Sequence, residues 1–359
     1  MTTETAKMLR ESADANKILW FQSMAWNLGL TAVKRREFKP ASVFFIRFSL
    51  LCSSLKESER YDMAYSMLLA ADSMLQHATD MHRHGKQSAE VIAKIEQALK
   101  CIARCRQNLT MLPAVETNIE NVPQASADDS TVGSDSLPIS RTNCVGDVIN
   151  NDTCLKKEEK LLPLLVIAEC QALCLRCDVN RTLDEQGLNS LLEAAAQLKA
   201  ADAKNYVNIA GVLTDSAMRH PTVTCRALKM ALGVLINEQS EQSITTLRSY
   251  DQIAAVLRTL ITNTEELLDA SPQVLQLLKR GRQLIQESGG SYPPQECHWL
   301  MVKSWNTGVY FANLDKRTDA QQWMALAMGL LKHVPDFPES RKRKMSEEMT
   351  EVLRPRIEE

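Results

Sequence analysis

All five tryptophans of the chain fall into two copies of one pattern, set 279 residues apart. The first copy reads Trp20, Trp26-Asn27-Leu28-Gly29, Ala41, Phe44; the second reads Trp299, Trp305-Asn306-Thr307-Gly308, Ala320, Trp323. The spacings agree throughout: six residues between tryptophans, three to the glycine, twelve to the alanine and three to an aromatic. A rare residue recurring in the same company marks an internal repeat, and repeats of this kind fold by stacking one supersecondary unit on the next.

The spacing specifies a helical hairpin. Trp26 to Val33 is the second half of a first helix, Lys34-Arg35-Arg36-Glu37 covers its polar end and turn, and Pro40-Ala41 opens a second helix. Proline suits a first helical turn because its missing N–H has no intrahelical partner there. Twelve residues across a short turn place Gly29 opposite Ala41, and Gly308 opposite Ala320. Two small residues at a crossing let helix axes approach at the low end of the roughly 8–10 Å range. A glycine inside a helix costs about 1 kcal/mol relative to alanine, and close packing compensates it. The tetratricopeptide repeat has this layout. Leu28-Gly29, Phe38 and Ala41-x3-Phe45 match it in the first copy; the second keeps Gly308, Phe311, Ala320 and Ala327 but carries Thr307 and Met324.

Composition agrees with helix. Twelve Gly, twelve Pro and 5% aromatic residues among 359 leave little for turns and strands. No alternating strand pattern or Asn-Gly hairpin signal occurs. A net charge of −2 gives no field to attract nucleic acid or anionic membrane. The longest greasy run, Leu161 to Leu175, is broken by Pro163, Glu169 and Gln171; a bilayer span needs about 20 apolar residues. Met1-Thr2-Thr3-Glu4-Thr5 is unlike a signal or transit peptide.

Cys170, Cys174 and Cys177 share a helix face, as do Cys101 and Cys105, and both sets continue apolar stripes. They read as core thiols in a reducing compartment. His77, His82 and His84 read as surface histidines near a helix end rather than as metal ligands. No metal, cofactor or catalytic constellation is expected: P-loop, GxGxxG, GxSxG and HExxH patterns are absent.

The expected fold is all-α, an α-solenoid of divergent hairpins similar to tetratricopeptide repeats, in three parts. Residues 1–112 hold four helices in two hairpins. Residues 113–155, rich in Ser, Thr, Asn, Asp, Pro and Gly, are expected to be a disordered linker or insertion; Ser126, Ser134 and Ser136 stand there in acidic contexts open to phosphorylation. Residues 156–354 resume helical repeats: 156–177, 184–201, 203–219, 221–237, 243–262, 264–287, 294–313, 318–333 and 340–353.

Paired Trp-Asn-x-Gly hairpins joined by divergent helical pairs resemble the meiotic tetratricopeptide-repeat scaffold family, which includes fungal Zip-type crossover factors and animal testis-expressed protein eleven. The most telling stretch is Val302-Lys303-Ser304-Trp305-Asn306-Thr307-Gly308-Val309-Tyr310-Phe311 with Asp319-Ala320-Gln321-Gln322-Trp323-Met324 downstream. The resemblance implies a non-catalytic scaffold of meiotic prophase, whose partners are synapsis and crossover proteins. It implies a nuclear protein, associated with chromosomes through partners, without direct nucleic-acid or membrane binding. The alternatives are a generic repeat adaptor in another cytoplasmic or nuclear complex and, more remotely, an uncharacterised all-α enzyme.

The signature residues Trp26, Asn27, Gly29, Ala41, Phe45, Trp305, Asn306, Gly308, Ala320 and Trp323 are assigned to repeat packing, because the tryptophans track the glycines. The clamp that repeat co-chaperones use for C-terminal carboxylates is missing: Trp26 and Trp305 stand in its earlier place, and Leu30 and Val309 follow the glycines. Arg341-Lys342-Arg343-Lys344 reads either as a short nuclear localisation signal or as a solvated helix end beside Glu339, Glu347 and Glu348.

Overall fold

A computed structural model of the chain describes residues 15–52, 57–110, 151–198, 202–241, 247–335 and 337–353. These residues form thirteen α-helices and no strand, so the protein is the all-α solenoid expected. The chain divides into two compact units, Met1–Ala168 and Glu169–Glu359.

In the first unit, α1 (Ala15–Lys34), α2 (Phe38–Leu51), α3 (Glu57–Arg83) and α4 (Ser88–Thr110) each pack on the next helix in sequence. Two turns explain the reversals. Helix α3 ends in a Schellman motif: the Gly85 N–H donates to the His82 carbonyl and the Lys86 N–H to the Met81 carbonyl, with Gly85 at φ +68°. Helix α1 ends the same way, but Arg36 takes the left-handed place at φ +58°, and the Glu37 N–H donates back to the Ala32 carbonyl. The core runs along the inner faces, through Ala41, Phe45, Ala64, Leu68, Ala71, Leu75, Val91, Ile95 and Ile102.

Helix α5 (Asn151–Asn180) passes through the boundary between the units. It starts at residue 151, inside the stretch expected to be a linker; residues 113–150, with the three serines, lie outside the described ones. The second unit continues with α6 (Glu185–Ala196), α7 (Ala203–Asp215), α8 (Pro221–Glu241), α9 (Leu247–Thr264), α10 (Ser271–Glu287), α11 (Pro294–Asn313), α12 (Arg317–Leu331) and α13 (Glu339–Leu353). From α7 on, each helix packs on its successor, and α6 with α8 and α10 with α12 also touch. Contacts confined to near neighbours in sequence are the hallmark of a solenoid.

Two boundaries differ from expectation for visible reasons. The helix expected over 264–287 begins at Ser271, with Pro272 in its first turn. The preceding Glu265 to Ala270 form a turn in which Asp269 takes φ +53° and Leu268 is 95% exposed. The helix expected to reach Arg219 stops at Asp215. There the Asp178 carboxylate, at the end of α5, accepts from Ser216 Oγ at 2.7 Å and from the Met218 N–H at 2.9 Å.

Candidate functional site

The two signature hairpins are built alike beyond the residues that announced them. In the first, Arg36 takes φ +58° and the Glu37 N–H bonds to the Ala32 carbonyl; in the second, Asp315 takes φ +57° and the Lys316 N–H bonds to the Phe311 carbonyl. These positions are again 279 apart. No common residue type marks the turn in the sequence: Asp315 is a residue that tolerates the left-handed region, whereas Arg36 is held in it at some strain.

Both glycines meet the side chain one turn beyond the expected alanine, and Gly308 meets the Ala320 backbone as well. A methyl group at Gly29 would lie 2.7 Å from Phe45 Cε1, so the glycine receives the Phe45 ring. At Gly308 it would lie 2.7 Å from Met324 Cγ, 3.1 Å from the Met324 nitrogen and 3.3 Å from the Ala320 oxygen. Phe45 and Met324 are equivalent positions, and both are buried, as are Ala41 and Ala320. The alanines thus let the helices close one turn away, and the glycines accept the following side chain.

Trp26 ties three helices together. Its ring centroid lies 5.7 Å from that of Phe45, 5.1 Å from Phe48 and 5.8 Å from Tyr65. Trp323 is buried 6.1 Å from Phe311, and Trp305 is half-buried. Asn27 and Asn306 are exposed, which corrects their assignment to packing; the Asn27 carbonyl accepts from Thr31 Oγ1 within its own helix.

The outer face of α11 shows what stacks against a signature hairpin. The Arg258 guanidinium of α9 sits 4.8 Å over the Trp299 ring and bonds Glu296 Oε1 at 3.0 Å. Lys303 Nζ pairs with Glu265, just after α9, at 2.7 Å. Leu300 meets Leu257 of α9 around Gly281 of α10, where an added methyl would lie 3.0 Å from Leu257 and 3.1 Å from Leu300. The matching face of α1 carries an apolar row: Trp20, Met24 and Leu28, with Ser23, Asn27 and Thr31, line one shallow groove. Trp20 is 60% exposed.

The eight cysteines whose side chains are described are all buried, and each stands as a thiol outside any disulfide. Burial pushes the Cys105 thiol up to about 12 and Cys297 to about 11; the Cys170 thiol and burial together raise Cys174. Protonated, buried thiols are poor nucleophiles, which fits the core role. Among the described residues no group of three His, Cys, Asp or Glu side chains is placed to hold a metal ion. His84 lies exposed at the end of α3, with Nδ1 2.6 Å from the Asp80 carbonyl. None of the described helices is long and apolar enough to cross a membrane.

Arg341 to Lys344 form the first turns of α13. Lys342 pairs with Glu339 at 2.9 Å, Arg343 with Glu347 at 3.6 Å and Lys344 with Glu348 at 3.7 Å. Arg341 instead borders a second shallow cleft with Pro294, His298, Pro335 and Phe337. No family model matches the chain.

Sequence patterning passed over one titratable group. His220 is 1% exposed, and neither ring nitrogen has a hydrogen-bond partner among the described residues. Its carbonyl starts α8, accepting from the Thr224 N–H and Oγ1, so the backbone's need for a helix start before Pro221 places the ring inside. Burial lowers its pKa, with the Asp178 and Glu185 carboxylates opposing. The unfolded chain therefore takes up this proton first. The contribution to stability is complete above the ordinary histidine value of about 6.5 and falls away as pH drops toward the folded value, by at most about 1.4 kcal/mol per pH unit. Melting temperatures measured from pH 7.5 to 5.5 should fall less steeply in His220→Leu than in the parent; equal slopes would assign the acid sensitivity to other groups.

Proposed function

We propose that the chain is a non-catalytic protein-interaction scaffold of meiotic prophase, acting with synapsis and crossover proteins in the nucleus and reaching chromosomes through them. The observation that carries the reading is the segment Lys303-Ser304-Trp305-Asn306-x-Gly308 with Ala320 and Trp323, which resembles the meiotic scaffold family. Its small and aromatic positions are invested in stacking hairpins, which supports an architecture that offers long surfaces to partner peptides and helices. The two clefts noted above are shallow and lack converging catalytic groups, which favours a docking surface over an enclosed reaction site. Affinity purification from meiotic cells with mass spectrometry tests the reading. Recovery of synapsis and crossover proteins is expected; recovery of only chaperones or of complexes from non-dividing cells would replace it with a generic repeat adaptor.

Nuclear entry has its own test. The ion pairs of Lys342, Arg343 and Lys344 join largely exposed side chains, and such pairs are worth roughly 0–1 kcal/mol, so an import receptor can displace them. Replacing Arg341, Lys342, Arg343 and Lys344 by glutamine should leave α13 folded and move a fluorescently tagged protein out of the nucleus. Unchanged nuclear accumulation would place the determinant elsewhere or in a partner.

A further inference from the structure

Each signature hairpin presents the outer face of its first helix, and the two copies differ in what lies on that face. Leu300 of α11 is 1% exposed and packs at Gly281 of α10, where Leu257 of α9 also stands; its counterpart 279 residues earlier, Phe21 of α1, is 41% exposed. Trp299 lies under the Arg258 guanidinium, whereas Trp20 stands out from α1. Lys303 and Thr307 of α11 correspond to Met24 and Leu28 of α1, so the surface without an intrachain hairpin among the described residues is the more apolar of the two. Polar residues are retained where the stack is internal and apolar ones stand where it is open. That is the reverse of a capping repeat, whose outer face is polar.

Charge distinguishes the possible occupants. Glu296 of α11 pairs with Arg258 of the covering helix, and its counterpart in α1 is Lys17. The sign is reversed, so a helix lying on α1 as α9 lies on α11 needs an acid where α9 has Arg258. Helix α1 carries Lys17 and Lys34 and no acidic residue. Arg35 and Arg36 follow in the turn, against Glu37. A second copy of α1 laid antiparallel would bring Lys17 toward Lys34 of its mate, an arrangement that like charges oppose.

We propose that α1 is a docking face for an amphipathic helix of another protein, with an apolar stripe against Trp20, Phe21, Met24 and Leu28 and acidic residues at both ends. The partner helix takes the place that α9 takes on α11, adding a foreign element to the stack in the helix-in-groove manner. This rests on the scaffold reading above and gives it a surface and a partner chemistry.

The test uses the full chain and three synthetic 20-residue helical peptides: one with leucines at i, i+3, i+4 and i+7 and glutamates at both ends, one with lysines for those glutamates, and one with the leucines scrambled. The acidic peptide is expected to bind with micromolar affinity, and the other two about tenfold or more weaker. A photo-crosslinker at Thr31 should label the acidic peptide. The triple variant Trp20→Ser, Met24→Ser, Leu28→Ser should lose binding about tenfold or more, with the helical circular dichroism of the parent. No binding, equal binding of the lysine peptide, or binding untouched by the triple variant each overturn the proposal. Dimerisation abolished by the triple variant would make a second copy the occupant, and binding seen only after deletion of residues 2–14 would make it the chain's own segment; both outcomes also overturn it. If purification from meiotic cells recovers the same partners with parent and triple variant, this docking face is wrong and the scaffold reading stands.

Discussion

Replacing Phe45 by alanine should destabilise the first unit by about 3–5 kcal/mol, the range for emptying a buried aromatic site. The side chain is fully buried, its ring fills the gap left by Gly29 and it stands against Trp26, which in turn reaches Phe48 and Tyr65. The loss therefore uncouples α1 from α2 and loosens the seat of α3. A domain stable by about 5–15 kcal/mol forfeits a large part of its margin. Hydrogen exchange should accelerate along α1 and α2 while α11 and α12 keep their protection. Phe44, half-buried beside it, supplies the control. Phe44→Ala should cost about 1 kcal/mol or less, since its ring keeps contact with solvent in the parent. Equal losses for the two variants would show that Phe45 is not the residue on which the hairpin closes.

That contrast also marks how far the sequence could be read. The tryptophan and glycine spacing located both hairpins and their small-residue crossings, because a packed helix pair admits few residue types at such positions. It paired Phe44 with Trp323 as aromatics, and the repeat layout paired Phe45 with Met324; burial follows the second pairing, since Phe45 and Met324 are both buried and Phe44 is not. A ring and a flexible thioether fill the same space and share no letter. Asn27 and Asn306 were drawn into the packing signature by proximity alone, and their exposure shows that recurrence and burial are separate properties.

Long-range polar contacts were invisible for a plainer reason. Asp178 holds the turn after α7 through groups 38 and 40 residues away, and Arg258 finds Trp299 across two helices. Nothing local to either residue encodes the partner. The apolar row on α1 was legible as individual residues but not as a surface. The tryptophan repeat marks Trp20 as the counterpart of Trp299 without assigning it a role, and only the surroundings of Trp299 and Leu300 show what the matching face of α1 lacks.

Gly308→Ala should cost roughly 1–2 kcal/mol despite the gain of about 1 kcal/mol that alanine brings to a helix. Two of the three atoms nearest the new methyl, the Met324 nitrogen at 3.1 Å and the Ala320 oxygen at 3.3 Å, belong to the backbone of α12. Rotamer changes cannot move them, so the two helices must part. Gly308→Val asks more of the same displacement and should cost about 3 kcal/mol. Gly281→Ala meets leucine methyls from Leu257 and Leu300 at 3.0 and 3.1 Å. Those ends can shift by small torsions, and the net effect should lie within about 0.5 kcal/mol of zero, strain and propensity offsetting. Gly211→Ala, with nothing within 4 Å of the added methyl, should stabilise by about 0.5–1 kcal/mol through propensity and a less flexible unfolded chain. Denaturant midpoints for the three alanine variants should therefore rise in the order Gly308, Gly281, Gly211, with the parent between the first and the last. A Gly308→Ala variant at least as stable as the parent would mean that the α11–α12 crossing yields, and that the glycine shared by the two tryptophan motifs is not held there by close backbone approach.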